Sequence, residues 1–333
     1  MDKQGDIQAM PLELSAEQAR LYMCCDKVLP SAQGMSIYGD WAFMLYHTGR
    51  CAVYDLKTKS SKPAADFWLA SANQGTPTKD YINHSNQCMF SGTFAEGNDL
   101  PLLYVTTGNG IGGDENGFFY RCAVENIHLV RDGTGAVVAG RSELVQTYSY
   151  VPGEEETYGW KAPCWGCPAW FVDSAEGVLY VFSSKYRTTQ EYAHLMEQNE
   201  YIITKFPLRP EQSGLVRLGA KDILDQFTAP FDILFTQGGM FKDGRIFYTF
   251  GFGNETYPDG LRIYDLKQRR LAARMDLSRS VLKDEEIECC SFYKGELLCN
   301  TNAQPSKIYS LAAFSEQTER DGDVPAGTIW EGP

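Results

Sequence analysis

Residues 237–277 read QGGMF-KDG-RIFYTFGFG-NETYPDG-LRIYDL-KQRRLAARMDL. An apolar run reaches Phe241 and breaks at Lys242-Asp243-Gly244, a tight-turn signal. A second run, 245–252, alternates aromatic and small residues and stops at Gly253-Asn254 and Pro258-Asp259-Gly260. A third, 261–266, ends in Tyr264-Asp265-Leu266, and a fourth, 271–277, sets apolar residues at alternate places. Four short strands with Gly, Asp, Asn and Pro between them form an antiparallel meander. One such sheet has two apolar faces and two open edges, so it needs copies of itself to be stable.

The copies are present in degenerate form. The turn after the first strand recurs at Ile37-Tyr38-Gly39-Asp40, Phe171-Val172-Asp173-Ser174 and Phe292-Tyr293-Lys294-Gly295, and Phe90-Ser91-Gly92 fits with a longer insertion. The third strand recurs as RCAVYDL at 50–56 and SKIYSL at 306–311, and more loosely at 120–124 and 203–208. With Ile37, Phe90, Phe171, Phe241 and Phe292 equivalent, the repeat interval is about 50 to 80 residues, as expected for a four-stranded blade with variable loops.

Over nearly its whole length the chain resembles a five-bladed β-propeller. The expected fold is all-β, with four-stranded antiparallel blades in one domain, closed by strands from both termini. The blades are expected at about 33–70, 86–150, 167–227, 237–277 and 288–314. Residues 11–30 are expected to add the outermost strand of the last blade. Residues 17–23 read either as a short helical turn or as part of that strand. No motif assigns the chain to one functional family.

Composition narrows the function classes. A net charge of −13 argues against binding a nucleic acid backbone or an anionic membrane surface. No apolar stretch approaches the roughly 20 residues needed to span a bilayer. The ten cysteines include the vicinal pairs Cys24-Cys25 and Cys289-Cys290, while Cys51, Cys88 and Cys122 fall inside strands. A secreted disulfide framework places cysteines in loops at spaced positions, so buried free thiols and a cytoplasmic location are expected, or export if a leader has been removed.

Three stretches outside the repeat invite a functional reading. The glycine-rich loop 108–117 joins two strands and no helix pattern follows it, so it lacks the context of a phosphate loop. A calcium loop and a plain hairpin loop remain open for it. Residues 187–199 place Tyr192, Leu195 and Met196 at helical spacing, with Glu191 and His194 together, as in a short lid or partner surface. Cys164-Trp165-Gly166-Cys167-Pro168 reads as a redox pair, half a zinc site or a structural turn. It leads into a strand rather than a helix, which weakens the redox reading, and zinc would need more ligands. No metal or cofactor is expected.

The candidate site is axial. Counting back four residues from each anchor gives Gln33, Asn86, Cys167, Gln237 and Glu288, one per blade, and two places earlier stand Ser31, His84, Trp165, Phe235 and Glu286. The expected ligand-binding set is Gln33, Asn86, Cys167, Gln237 and Glu288, with His84, Trp165 and Glu286 at the rim. Amides around a carboxylate suit a hydroxyl-rich or amine-bearing small molecule, but could equally satisfy one another along a narrow axis. Glu288 should be ionised if water reaches it and protonated if the site is dry.

Five-bladed propellers include glycoside hydrolases and phosphorylases, and the chain is similar to them in blade number and length. Those enzymes draw two carboxylates from different blades. Glu286 and Glu288, two apart on one strand, are expected to share a face, and Asp232 precedes the ring, so the catalytic residues stay unassigned. There is no G-x-S-x-G elbow for a serine triad. Two readings result. One is a small-molecule, glycan-related binding or processing protein with its site at the axial mouth. The other is a protein interaction scaffold with a structural axis.

Overall fold

The computed structural model describes residues 10–26, 28–72, 82, 84–107, 121–150, 165–185, 199–230 and 235–311, with backbone alone at 165–168 and 230. The loop 108–117, the insertion 187–199 except Asn199, Cys164, Asp232 and the tail beyond 311 lie outside the described residues.

The described chain is all-β. Strands β1 (Leu12–Leu14) and β2 (Arg20–Cys25) come first. Blade one follows as β3 (Ala32–Tyr38), β4 (Trp41–Tyr46), β5 (Arg50–Asp55) and β6 (Ala65–Trp68). Blade two is β7 (Cys88–Phe94), β8 (Pro101–Thr106), β9 (Arg121–Arg131) and β10 (Val137–Tyr150). Blade three is β11 (Trp165–Asp173), β12 (Val178–Ser184), β13 (Glu200–Pro207) and β15 (Asp225–Pro230), with β14 (Gly214–Leu218) interposed. Blade four is β16 (Thr236–Lys242), β17 (Arg245–Phe250), β18 (Gly260–Asp265) and β19 (Arg270–Asp276). Blade five is β20 (Ile287–Tyr293), β21 (Glu296–Thr301) and β22 (Ser306–Ser310).

The first strand of each blade lies innermost. β3 touches β7, β7 touches β11, β11 touches β16, β16 touches β20 and β20 returns to β3, which makes the five sheets a propeller. Closure comes from both termini, because β2 pairs antiparallel with β22, Arg20 opposite Ser310 and Cys25 opposite Ser306. Residues 17–23 therefore lead into and form strand, not a helical turn.

Two blades exceed the expected four strands. β1 runs parallel to β19 at the edge of blade four, Leu12 opposite Ala273. β14, from the chain of blade three, runs parallel to β10 of blade two, Gln146 opposite Gly214. Both additions cover a sheet edge that would otherwise present unpaired backbone groups. Neither was read from sequence: β1 has three residues and β14 five, too few to carry a clear period, and both pair with strands far away in the chain.

Neighbouring blades are welded by aromatic side chains. At the seam of blades three and four, Tyr248 meets Phe171 edge-on at 5.5 Å and Phe182 edge-on at 4.8 Å. Each such pair contributes about 0.5–1.5 kcal/mol beyond area burial. The eight described cysteines are free thiols and all but Cys24 are buried. Cys51, Cys122 and Cys290 are fully enclosed in the sheets and behave as small apolar residues.

The axis is closed. Gly34 of blade one donates its N–H to Ser85 O at 2.9 Å, and a Cβ there would lie 3.2 Å from Cys88 Sγ. Gly238 of blade four is tighter still: a Cβ would lie 2.4 Å from Asn86 O of blade two and 2.9 Å from both Glu288 O and Cys289 Sγ. Blades two and four thus meet across the axis, with the Cys88 and Cys289 thiols filling what space remains.

Gly238→Ala should therefore cost about 3 kcal/mol through overpacking against backbone that cannot retreat. Gly39, with φ of 57° and open space around its Cβ direction, should cost only about 1 kcal/mol on the same substitution. Urea midpoints of the two variants check this, and equal losses would mean that the axial contact is not what constrains Gly238.

Candidate functional site at the axial mouth

A β-bulge builds the ring. In β3, Gln33 and Gly34 lie between the paired residues Ala32 and Met35, facing the single residue between Tyr46 and Met44. In β16, Gln237 and Gly238 lie between Thr236 and Gly239 against one residue of β17. In β20, Glu288 is the extra residue between Ile287 and Cys289, and in β11 a wider bulge spans Trp165 to Ala169 and includes Cys167. Bulges turn a side chain out of the pleat's alternation. That is why a polar residue in an inner strand can aim along the seam instead of into the sheet packing.

Hydrogen bonds connect four of the five ring residues. Gln33 Nε2 donates to Glu288 Oε1 at 3.0 Å, joining blade one to blade five. Asn86 Nδ2 donates to Gln237 O at 3.3 Å across the axis. Gln237 Nε2 donates to Gly251 O at 2.8 Å and to Glu286 Oε1 at 3.1 Å. Gln33, Asn86, Gln237 and Glu288 are all buried. The side chains of Cys167 and Trp165 lie outside the described residues. His84 faces His47 instead, ring centroids 4.4 Å apart, and burial together with His47 pulls its pKa down to about 4.

Glu286 and Glu288 bond glutamines of different blades, though both carboxyl groups lie by the Asn302 amide. Glu286 precedes β20 and reaches Gln237 of blade four, while the bulge sends Glu288 to Gln33 of blade one. The alternation rule assumes an unbulged strand, and the register shift at Glu288 changes which glutamine each acid reaches.

Glu288 takes the dry branch. It is wholly buried, and burial, reinforced by the Glu286 and Asp259 charges, raises its pKa well above 4.5, against which the Asn302 and Gln33 amides pull only in part. The protonated form also answers a geometric problem. Gln33 Oε1 and Glu288 Oε2 are both buried acceptors without a donor among the described residues. A proton on Glu288 supplies a donor beside the amide it already bonds.

Sequence reasoning missed several residues at this face. Asn302 Nδ2 donates to Glu286 Oε2 at 3.1 Å. Asn300 Nδ2 donates to Gln33 O at 2.6 Å. Asp259 accepts the Gly253 N–H at 2.8 Å and the Ile287 N–H at 3.2 Å, tying the blade-four loop to the start of β20. Burial, with Glu286 and Glu285 nearby, lifts the Asp259 pKa to about 8 against those two bonds. A cleft of about 410 Å³ adjoins it, between Asn254 and Pro258 on one side and Arg279 and Lys283 on the other.

The same loop carries an aromatic shelf. Phe235 stacks on Phe252 at 4.3 Å, and Tyr257 meets Phe235 edge-on at 4.6 Å. Phe252 is 38% exposed. Phe235 holds a left-handed backbone at φ 61°, rare for a bulky residue and a conformation that persists only where surroundings impose it. Its carbonyl accepts the Gly251 N–H at 2.9 Å, as Ser31 O accepts from His47 and Glu286 O from Asn302. That shared bond marks Ser31, Phe235 and Glu286 as equivalent rim positions. One signal was available in sequence: in blades one, four and five the residue after the second strand, His47, Gly251 or Asn302, donates its N–H to the rim.

No protein-family model and no curated protein sequence matches the chain. Among solved structures, the crystal structure of Myxococcus xanthus glutaminyl cyclase is similar over 90% of this chain and 97% of that one, at 10% identity and a TM-score of 0.47. Chaetomium thermophilum Raptor is similar over 86% of this chain and 20% of that one, at 10% identity and a TM-score of 0.36. Likenesses this distant say nothing of chemistry.

The buried acids set a pH dependence. Below pH 4.5 both folded and unfolded chains carry the Glu288 proton, and its contribution to stability is fully present. Above that the unfolded chain ionises while the native one holds its proton, so stability falls as pH rises toward the folded pKa. Asp259 acts in the same sense between 3.8 and about 8. Glu288→Gln keeps a donor and an acceptor in place and cannot ionise. The variant should match the parent near pH 4 and melt above it at pH 8. A parent that gains on the variant as pH rises would show that Glu288 is ionised in the fold.

Proposed function

We propose that the protein binds a small, hydroxyl-rich, glycan-related molecule at the axial mouth. The observation that carries this reading is the shelf of Phe235, Phe252 and Tyr257. It is partly exposed and imposed on a left-handed backbone, and it stands directly beside the Gln237–Glu286 pair. Proximity follows from one atom, since Gln237 Nε2 bonds both Gly251 O and Glu286 Oε1. A ring face with carboxylate and amide groups at its edge is the arrangement that holds a sugar: the apolar face stacks and the hydroxyls find acceptors. Glu286 is the ligand-orienting acid in this reading. Glu288, Gln33 and Asn86 support the floor from below.

The closed axis favours a second reading, the interaction scaffold, in which these groups serve only the seams. A thermal-shift series of mono- and disaccharides and sugar phosphates separates the two. A binder at about 100-fold excess over Kd gains about 2.7 kcal/mol and a measurable rise in Tm. Phe252→Ala, at an exposed position, should abolish that rise and leave the unliganded Tm within about a degree or two. A flat response to the whole series favours the scaffold.

The buried thiols support a cytoplasmic location. Mass spectrometry of unreduced, alkylated protein should find all ten cysteines labelled once the chain is unfolded, and native disulfides would point to export.

A further inference from the structure

Resting on that mouth site, we infer that its ligand carries a positively charged nitrogen, as an amino sugar does, and that Glu286 with the Phe235–Phe252–Tyr257 shelf recognises the ammonium group. The argument begins with what Glu286 lacks. Its two carboxylate oxygens are each pinned by an amide, Gln237 on Oε1 and Asn302 on Oε2, both at 3.1 Å. Among the described residues no lysine or arginine pairs with it, although Lys307 pairs with the adjacent Glu285. Amides orient a carboxylate without cancelling its charge, so the half-buried Glu286 presents a fixed, uncompensated anion at the mouth.

The second observation is independent of the acid. Three aromatic rings lie within 4.3 to 5.8 Å of one another, centroid to centroid, and two of them cross the third nearly at right angles. Walls of this kind offer π-faces in different orientations to a single cation. The neutral alternative uses the rings for stacking but leaves the Glu286 charge unanswered. An ammonium answers both at once.

The buried acids below the mouth add to the selection. Glu286 lies close enough to both Asp259 and Glu288 to help raise their pKa values, and Asp259 adds to that of Glu288. An anionic ligand would meet the Glu286 carboxylate as a like charge and would gain nothing from the protonated Glu288 below it. Sugar phosphates should accordingly bind worst.

The test compares matched probes: glucosamine against glucose and N-acetylglucosamine, and tetramethylammonium chloride against sodium chloride. Affinities come from ligand titrations followed by NMR, with parent, Glu286→Gln and Phe252→Leu proteins. Glucosamine should bind the parent about tenfold tighter than glucose, and tetramethylammonium should shift the same resonances. Glu286→Gln should erase the amine advantage, leaving glucosamine no tighter than glucose. If glucose and N-acetylglucosamine bind as well as glucosamine, the ammonium inference falls and the glycan reading stands. Tetramethylammonium binding that needs Glu286 and Phe252, with no sugar response, keeps the inference and removes the glycan. Amine binding unchanged in both variants, or no amine binding at all, overturns it. Unliganded melting curves of both variants confirm that they fold.

Discussion

Everything in this molecule depends on how closely five sheets can approach one axis. Gly34 and Gly238 have no Cβ where one would collide with the backbone of blade two, and Cys88 and Cys289 fill the gap with two small thiols. A larger side chain at either glycine would push two blades apart and open the seams on both sides. The aromatic packing between blades is then a consequence of closure, because each seam can be tight only if the ring is complete. The antiparallel pairing of β2 with β22 makes it complete by joining the two ends of the chain.

Closing the axis creates the polar problem that the mouth then solves. Inner strands at this spacing cannot keep regular alternation, so blades one, three, four and five each insert extra residues near their start. The displaced side chains point into seams, where only hydrogen-bonding groups with partners survive burial. Gln33 with Glu288, and Gln237 with Glu286, are those groups. Glu288 lies deep enough that a proton is the cheaper way to satisfy it, and Glu286, one bulge outward, keeps contact with solvent. Burial, reinforced by the neighbouring Glu286 and Asp259 charges, is what holds that proton.

This explains what could be read from the chain and what could not. Blade number and closure were legible because Ile37, Phe90, Phe171, Phe241 and Phe292 repeat a local pattern of turn and strand. The ring residues were legible as polar interruptions of apolar strands. Their direction was not, since a bulge leaves no mark in a period of two, and so the reach of Glu288 to blade one and of Glu286 to blade four could not be read. Asp259, Asn302 and His47 were missed for another reason. His47 and Asn302 directly follow second strands, and only the shared backbone bond to the rim carbonyl reveals that they are equivalent, while Asp259 lies farther along the blade-four loop. The fifth strands were invisible because their partners lie far away in sequence.

The balance between site and structure turns on Phe235. A purely structural rim would be expected to place a small or flexible residue where φ is positive, as blade one does with Ser31. Blade four instead accepts a strained aromatic there and stacks it on a phenylalanine that stays partly in water. Burying that ring would have gained stability, and neither the closure of the axis nor the packing of the seams requires its exposure. A strained phenylalanine stacked on a partly exposed one, beside a pinned carboxylate, is a cost that the fold itself does not recover. A ligand that covers the shelf would recover it, which is why we propose the rim of blades four and five, rather than the centre, as the binding site.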